Sequence, residues 1–309
     1  MKNKPLLLIA LGGNAMIQKG QDGTAEQQLQ NLTKPMSTIA KLSRDYNVVI
    51  THGNGPQVGN LLLQQESCDE VPKMPLDVIG SMTEGQIGYM IESTLDTELA
   101  KLDIQNRMFL TLITYVILDP DDPLFQNPTK PIGPFYTKEE ADNLPYTMTE
   151  TDKGYRRVVP SPKPVEIVQH KEIQKLIDMD FIVICTGGGG IPVVREGKGF
   201  RGVEAVIDKD LASSKLSQEI KADNFVIATD VEGAAINWGK PNQETLGNIT
   251  LADLKQYNAD GQFPAGSMGP KVEALIKFVE TTGNTGVICH LDDIEQAVEG
   301  KAGTVVTAK

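Results

Sequence analysis

The chain has 309 residues, of which 40% are hydrophobic and 23% charged, a composition typical of globular proteins. Its net charge of −12 argues against non-specific binding to nucleic acid, because that binding depends on a basic surface. No apolar run approaches the roughly 18 residues of a membrane span. Three cysteines without a CxxC spacing argue against a disulfide framework or a zinc site and favour a reducing cytoplasm: Cys68, Cys185 and Cys289.

Short apolar runs recur along the chain and predict β-strands. Most are nearly continuous rather than alternating, as in strands buried on both faces. The first run is too short for a signal peptide and leads into glycines without a cleavage pattern, so it is interpreted as a buried strand. The runs are Leu6–Leu11, Val48–Thr51, Met108–Leu118, Phe181–Thr186, Phe225–Thr229, Val287–Cys289 and Thr304–Thr307.

Amphipathic segments between these runs predict helices. The first begins at Thr24 with Gln27 three residues later, a capping-box pattern, and contains Pro35, which predicts a kink or two short helices. Two others begin at Asp208 and Pro270. Strands that alternate with helices in this way predict an α/β fold with a mostly parallel sheet.

A proline-rich region interrupts this alternation. Residues 120–164 hold nine of the 18 prolines. Proline removes a backbone donor and disfavours central sheet positions, so a long surface excursion is one interpretation. Long structureless loops are uncommon in compact domains, and the length of this region therefore favours a small inserted subdomain or lid.

Glycines directly follow three of the predicted strands. The turns are Gly12-Gly13-Asn14, Gly53-Asn54-Gly55 and Gly187–Gly190. In a parallel sheet they fall at the carboxyl ends of strands, where backbone N–H groups can approach an anion. A single turn of this kind is simply a tight connection, but three together indicate a phosphate or polyanion site.

Two lysines occupy positions that are unfavourable for a cation. Lys209 and Lys271 fall near predicted helix starts, where the helix dipole costs a cation about 0.3–1 kcal/mol. Such a cost is more readily tolerated at a functional site, although a single lysine often extends into solvent instead. Lys130, within a stiff Pro-Thr-Lys-Pro segment, is a third candidate. Lysines directed at the glycine turns would serve phosphoryl transfer, which needs positioning and charge stabilisation.

Other candidate residues and motifs are weaker. Asp210 either favours the helix start or orients the lysines, Asp230 is a turn residue or a nucleotide contact, and a structural role is favoured for His52. A P-loop motif and a G-x-G-x-x-G fingerprint are both absent from the sequence, so a dehydrogenase is a weak rival. No Ser–His or Cys–His partnership is visible.

Seven segments, in order, resemble the carbamate kinases of the amino-acid kinase superfamily, and the resemblance covers nearly the whole chain. They are Ala-Leu-Gly-Gly-Asn14, Thr-His-Gly-Asn-Gly-Pro-Gln57, Asn-Pro-Thr-Lys130-Pro-Ile-Gly-Pro, Val-Val-Pro-Ser-Pro-Lys-Pro164, Gly-Gly-Gly-Gly-Ile-Pro192, Ala-Val-Ile-Asp-Lys-Asp210 and Gly-Ser-Met-Gly-Pro-Lys271. The segment around Lys130 distinguishes this family from its relatives.

The resemblance implies a three-layer α/β/α sandwich with an open, mainly parallel sheet of about eight strands, in a cytoplasmic homodimer. Residues 1–205 would form a lobe that binds carbamate or carbamoyl phosphate, with a lid insertion at 119–164, and residues 206–309 a lobe that binds ATP or ADP. Mg²⁺ would enter with the nucleotide, held mainly by its phosphates rather than by a protein metal site. The reaction would run in the ATP-forming direction, in the catabolism of arginine or related carbamoyl donors.

The resemblance also implies roles for individual residues. Catalytic residues would be Lys130, Lys209, Asp210 and Lys271; Gly12, Gly13, Asn14, Gly53 and Asn54 would bind the acceptor and the phosphoryl group; Asp230, Gly266, Ser267 and Met268 would border the nucleotide. The chain departs from the family pattern at Glu150–Gly154, where Lys153 replaces an arginine that lysine cannot match as a bidentate donor. A kinase for another carboxylate and a nucleotide-binding regulatory protein are the remaining alternatives.

Overall fold

The computed structural model describes residues 4–309. The strands there are β1 (Leu6–Leu11), β2 (Asn47–His52), β3 (Phe109–Leu112), β4 (Tyr115–Leu118), β5 (Lys130–Tyr136), β6 (Met148–Thr151), β7 (Gly154–Val159), β8 (Pro164–Ile167), β9 (Ile182–Cys185), β10 (Ile191–Glu196), β11 (Gly199–Gly202), β12 (Asn224–Thr229), β13 (Ala235–Ile236), β14 (Glu244–Thr245), β15 (Asn248–Thr250), β16 (Thr285–His290) and β17 (Thr304–Thr307). The helices there are α1 (Ala25–Leu42), α2 (Gly55–Glu66), α3 (Leu76–Lys101), α4 (Lys138–Asn143), α5 (His170–Asp178), α6 (Lys209–Glu219), α7 (Leu251–Ala259), α8 (Met268–Thr282) and α9 (Ile294–Val298).

An eight-stranded sheet forms the centre of the fold, in the order β15-β17-β16-β12-β1-β2-β9-β3. Its strands from β16 to β3 are all parallel. Only at one edge does the direction change, where β17 runs antiparallel to β16 and β15 pairs parallel to β17. The predicted mainly parallel sheet of about eight strands is therefore confirmed.

Helices cover both faces of this sheet. In β1, Leu8 belongs to a buried cluster that includes Leu216 of α6 and Phe278 of α8. The adjacent Ile9 points to the opposite face and belongs to a cluster that includes Leu32 of α1 and Ile91 of α3. Burial on both faces explains why β1 is apolar at every position. The predicted three-layer sandwich is confirmed.

Helix α1 corrects one expectation about Pro35. The capping box at Thr24 forms as predicted, but the segment is a single helix of 18 residues and not two short ones. Proline inside a helix costs roughly 3 kcal/mol or more. Leu32, Met36 and Ile39, fully buried on the same helix, compensate for this cost because their packing requires a continuous helix.

The run Met108–Leu118, predicted as one strand, is two strands in two sheets. β3 pairs with β9 in the main sheet, whereas β4 lies in a second sheet of order β11-β10-β4-β8. The chain changes sheets at Thr114, whose N–H donates to the Glu84 carboxylate at 3.0 Å and whose carbonyl accepts from the Ile191 N–H at 2.8 Å. An apolar run alone does not reveal such a break.

The proline-rich region folds into a small subdomain. Strands β5, β7 and β6 form an antiparallel sheet in that order. The short helix α4 lies between β5 and β6 in the chain. The register of β5 shifts between Ile132 and Tyr136, where Gly133 has a φ of 70° that favours glycine. Tyr136 attaches the subdomain to α2 by donating its hydroxyl to Glu66 at 2.6 Å. None of the helices formed by residues 4–309 is long and apolar enough to cross a membrane.

Candidate active site

A cleft of about 730 Å³ opens at the carboxyl ends of the parallel strands. All three predicted glycine turns contribute to it, and the β5–β7–β6 subdomain forms part of its wall. The predicted site residues that line the cleft are Gly13, Gly53, Asn54, Lys130, Lys209, Asp210, Gly266, Ser267 and Lys271. The structure therefore brings together residues that are up to 258 positions apart in the sequence, from Gly13 to Lys271.

Four predicted site residues do not line the cleft. Gly12 is buried beneath it, with its N–H donating to the Ala228 carbonyl at 2.9 Å. Asn14 and Asp230 are exposed outside it, and Met268 packs against the hydrophobic core at the start of α8. Their assigned roles in substrate and nucleotide binding remain predictions.

The first two glycine turns touch each other. A β-carbon on Gly53 would lie 3.2 Å from the Gly13 nitrogen and 3.4 Å from Cδ of Lys209. Gly53 is itself fixed by an N–H bond of 3.0 Å to the Leu11 carbonyl. Because Gly53 has no side chain, the two turns and the aliphatic part of Lys209 can lie in contact. Helix α2 begins two residues later, so its amino-terminal end lies at the cleft.

A buried charge cluster forms the floor of the cleft. The ammonium of Lys271 lies 3.0 Å from Asp210 Oδ2, and Lys209 forms an ion pair with the other oxygen of the same carboxylate. Asp210 is 2% exposed. Two ammonium groups around one carboxylate leave an excess of positive charge directed at the cleft.

The environment shifts the pKa values within this cluster. Burial alone would raise the pKa of Asp210, but the nearby ammonium groups of Lys209 and Lys271 outweigh it and hold the pKa below its usual value. Burial lowers the pKa of Lys209, and the Asp210 carboxylate opposes that shift only in part. Asp210 therefore stays ionised and contacts both lysines, the arrangement expected if it orients them, and its catalytic role remains a prediction.

Lys130 reaches the cleft from β5 and pairs with Asp208 at 3.1 Å. Asp208 is also the amino-terminal cap of α6, because its Oδ1 accepts the Asp210 N–H at 2.9 Å. The sequence identified Asp208 only as a helix start. The sequence position of Asp208 could have identified it as a site residue. A capping carboxylate directly before Lys209 lies at the same edge of the sheet as the glycine turns.

Arg156 is a second cleft residue that the sequence did not single out. Its guanidinium donates from Nε and Nη2 to the Gly133 carbonyl at 3.2 and 2.8 Å and lies 5.1 Å from the centroid of the Phe135 ring. These contacts hold a positive charge in the part of the cleft wall that the subdomain forms. Its position within the proline-rich region, which was expected to form a lid, could have identified Arg156 as a candidate.

His52 has the structural role that the sequence favoured. It is 1% exposed, its Nδ1 lies 3.0 Å from the Gly53 carbonyl, and burial lowers its pKa to about 4. The ring is therefore neutral at physiological pH, with Nδ1 as the donor. It supports the second glycine turn from behind.

These features define the class of chemistry that the cleft can perform. Backbone N–H groups, two helix amino termini and a cluster of lysines converge where three strands end, an arrangement that binds phosphate and stabilises charge on a phosphoryl group. The profile of the Amino acid kinase family matches residues 5–290. The chain belongs to this family and is a phosphotransferase.

Relatives of high identity over almost the full chain show that, within this family, it belongs to the carbamate kinases. The chain is 52% identical to the carbamate kinase of Thermococcus kodakarensis, over 97% of this chain and 98% of the relative. It is 48% identical to the carbamate kinase of Haemophilus influenzae, over 98% and 97% of the two chains. The solved carbamate kinase of Giardia lamblia bound to AMP-PNP superposes with a TM-score of 0.94 at 43% identity, covering 99% of both chains.

Proposed function

We propose that the protein catalyses ADP + carbamoyl phosphate ⇌ ATP + carbamate. The observation that carries the phosphoryl-transfer step is the buried Lys209–Asp210–Lys271 cluster beneath the glycine turns. Carbamate as the acceptor is supported by the high identity to carbamate kinases over almost the full chain. We further propose that the ATP-forming direction operates in cells, in the catabolism of arginine or related carbamoyl donors in the cytoplasm.

In this proposal the cleft acts by position and charge. The backbone N–H group of Gly13 and the side chain of Asn54 hold the carbamoyl end and the phosphoryl group, and Gly53, which has no side chain, lets the substrate approach the turn closely. Lys209 and Lys271, kept in place by Asp210, neutralise the charge on the transferring group from below. Carbamate is already an anionic oxygen nucleophile, so the reverse reaction needs no general base. Lys130 would leave Asp208 and approach the phosphoryl group from the subdomain side.

The nucleotide would bind at the start of α8. Gly266 and Ser267 line the cleft there, and the Ser267 side chain makes no capping hydrogen bond, whereas the Gly269 N–H donates to the Pro264 carbonyl at 2.8 Å. Asp230 and Met268 would lie further out along the nucleotide. Mg²⁺ would supply charge neutralisation on the phosphates. Both oxygens of Asp210 are engaged by lysines, and we therefore expect the ligands of the metal to come mainly from the phosphates.

The organisation of the chain completes the proposal. Residues 1–205 would form the carbamoyl phosphate lobe and residues 206–309 the nucleotide lobe, with residues 119–164 as a lid. A homodimer is supported by exposed apolar side chains beside the edge strand β3, namely Met82 and Tyr89 on α3 and Ile113.

The test is a coupled assay of ATP formation from ADP and carbamoyl phosphate by the purified protein. We expect ATP to form with carbamoyl phosphate and Mg²⁺, and much more slowly with acetyl phosphate. In the opposite direction, glutamate, aspartate and an acetylated amino acid serve as competing acceptors. Faster phosphorylation of one of these carboxylates than of carbamate would replace the proposal, and ADP binding without any turnover would indicate a regulatory protein.

A further inference from the structure

Glu84 on α3 is a buried carboxyl group directly behind the glycine turns. It is 1% exposed. Its Oε2 accepts the Thr114 N–H at 3.0 Å, and the Gly187 N–H lies beside the same carboxyl. Within residues 4–309, its Oε1 makes no hydrogen bond of normal geometry. A buried polar atom without a partner costs roughly 1–3 kcal/mol, so a structural explanation is required.

The third glycine turn rests on Glu84 and on the second turn. A β-carbon on Gly187 would lie 2.4 Å from Nε2 of His52 and 3.1 Å from Cγ of Glu84. A β-carbon on Gly188 would lie 2.0 Å from Nδ2 of Asn54. Gly187 and Gly188 are therefore in direct contact with the side chains of the second turn.

Helix α3 holds both turns through consecutive residues. Thr83 accepts a hydrogen bond of 2.8 Å from Nδ2 of Asn54, a predicted substrate-binding residue. Glu84 holds Thr114, whose Oγ1 in turn accepts the Thr186 N–H at 3.0 Å at the start of the third turn. Thr186 has a φ of 54°, a conformation that a β-branched residue adopts only when its surroundings enforce it.

The surroundings of Glu84 favour its uncharged form. Burial raises its pKa to about 8, against the two N–H groups that favour the anion. In the part of the chain that the structure describes, none of the ionisable groups next to Glu84 supplies a positive charge that would stabilise its carboxylate form. His52 is uncharged, with a pKa of about 4, and the Cys185 thiol is kept protonated by burial, with a pKa of about 12. Lys209 lies near enough to His52 to help lower its pKa, and it is paired with Asp210.

We propose that Glu84 is a positioning residue for phosphoryl transfer, whose carboxyl group holds the Gly187–Gly190 turn against His52 and Asn54. Its action rests on the proposed function, since it orients groups that would bind the substrate. Ionisation of Glu84 would place an unpaired charge beside Gly187 and displace the turn. Catalysis would therefore decline as Glu84 loses its proton.

The first experiment compares kcat from pH 6 to pH 10 for the native protein, Glu84→Gln and Glu98→Gln. Glu98 is a matched control, because it lies on the same helix, is 4% exposed and pairs with Lys101 away from the turns. Glutamine imitates the uncharged acid, so Glu84→Gln should retain kcat at pH 7. Above pH 8 the kcat of Glu84→Gln relative to the native protein should rise, approaching tenfold per pH unit. Any effect of Lys209 titration on kcat is common to all three proteins and therefore cancels in the ratio of their kcat values.

The second experiment measures the position of the turn without catalysis. Amide hydrogen exchange in residues 183–195 should accelerate in Glu84→Ala and stay near native in Glu84→Gln and Glu98→Ala. Glu84→Ala should also lose about 10- to 100-fold in kcat, the usual effect of misplaced reacting groups. A pH-independent kcat ratio for Glu84→Gln, or unchanged exchange in Glu84→Ala, overturns the inference. A native protein that makes no ATP refutes the proposed function alone, and the exchange experiment then decides the role of Glu84.

Discussion

Two helices that begin at the cleft, α2 and α8, differ at their starts from three helices that begin away from it, α1, α4 and α7. Away from it, α1, α4 and α7 start with complete capping boxes at Thr24, Thr137 and Thr250. At the cleft, α2 and α8 start at Asn54 and Ser267 with no side-chain cap. Capping satisfies N–H groups that a helix start otherwise leaves without partners. Asp208 caps α6 at the same cleft, so the contrast holds for α2 and α8, whose N-cap side chains satisfy none of the N–H groups of the first turn.

The charged groups show the same contrast. Lys138 and Asp142 form an ion pair in solvent on α4, of a kind that contributes little to stability. In the Lys209–Asp210–Lys271 cluster the carboxylate is buried and the two lysines are largely shielded from water, where an incomplete set of partners is costly. A fold accepts such a cost where the charges serve a reaction.

The largest expected effect is on catalysis, from Lys271→Ala. Loss of one ammonium from the cluster should lower kcat by roughly 10²–10³-fold, as when a donor to a developing anion is removed. The control is Lys277→Ala on the same helix, which pairs with Glu273 at the surface and should retain native kcat. Lys130→Ala should likewise nearly abolish ATP formation. Full activity in both Lys130→Ala and Lys271→Ala would contradict the assigned roles.

Asp210→Asn should produce the largest change in stability. It leaves two buried ammonium groups without their carboxylate, and the free energy of unfolding should fall by roughly 3–5 kcal/mol. Because the folded-state pKa of Asp210 is lowered, its contribution is complete at neutral pH. It should be lost as the pH falls below roughly 4, toward the folded-state pKa. Urea unfolding at several pH values measures both effects, and Asp142→Asn, in a surface pair, should change neither. Equal losses of unfolding free energy in Asp210→Asn and Asp142→Asn would contradict the contrast between the cluster in the cleft and the ion pair at the surface.

The smallest effects test the helix starts directly. Thr250→Ala removes a capping box on α7 and should lower the free energy of unfolding by about 1 kcal/mol without changing kcat. Ser267→Ala removes no capping bond, so it should leave stability nearly unchanged and instead raise the KM for ADP. Thermal unfolding and steady-state kinetics distinguish the two. A stability loss in Ser267→Ala as large as in Thr250→Ala would show that Ser267 caps α8 after all.

Much of the fold was predictable because its signals are local. Apolar runs and the glycines that follow them mark β1, β2 and β9 and place their turns at one edge of the sheet. Local signals also indicated Lys209 and Lys271 as site candidates, because both lie near predicted helix starts. Their assignment to carbamate kinase chemistry came from the resemblance of whole segments rather than from these boundaries.

The unpredicted features depend on contacts between distant segments. Glu84 lies in the middle of a helix, and only its contact with Thr114, thirty positions away, reveals its environment. Asp208 and Lys130 are 78 positions apart and meet only after the subdomain folds. The break between β3 and β4 follows from pairing with different sheets, which an uninterrupted apolar run does not encode.

The Asp208–Lys130 ion pair gives the molecule a mechanical property. One carboxylate caps the helix that begins with Lys209 and, through its other oxygen, anchors the first residue of β5. This ion pair joins the subdomain to the floor of the cleft, beside the Arg157–Glu204 ion pair at 2.8 Å. While this pair is formed, outward movement of β5 pulls on the helix start that carries Lys209 and Asp210, and when Lys130 leaves Asp208 the two parts of the molecule can move independently of this contact.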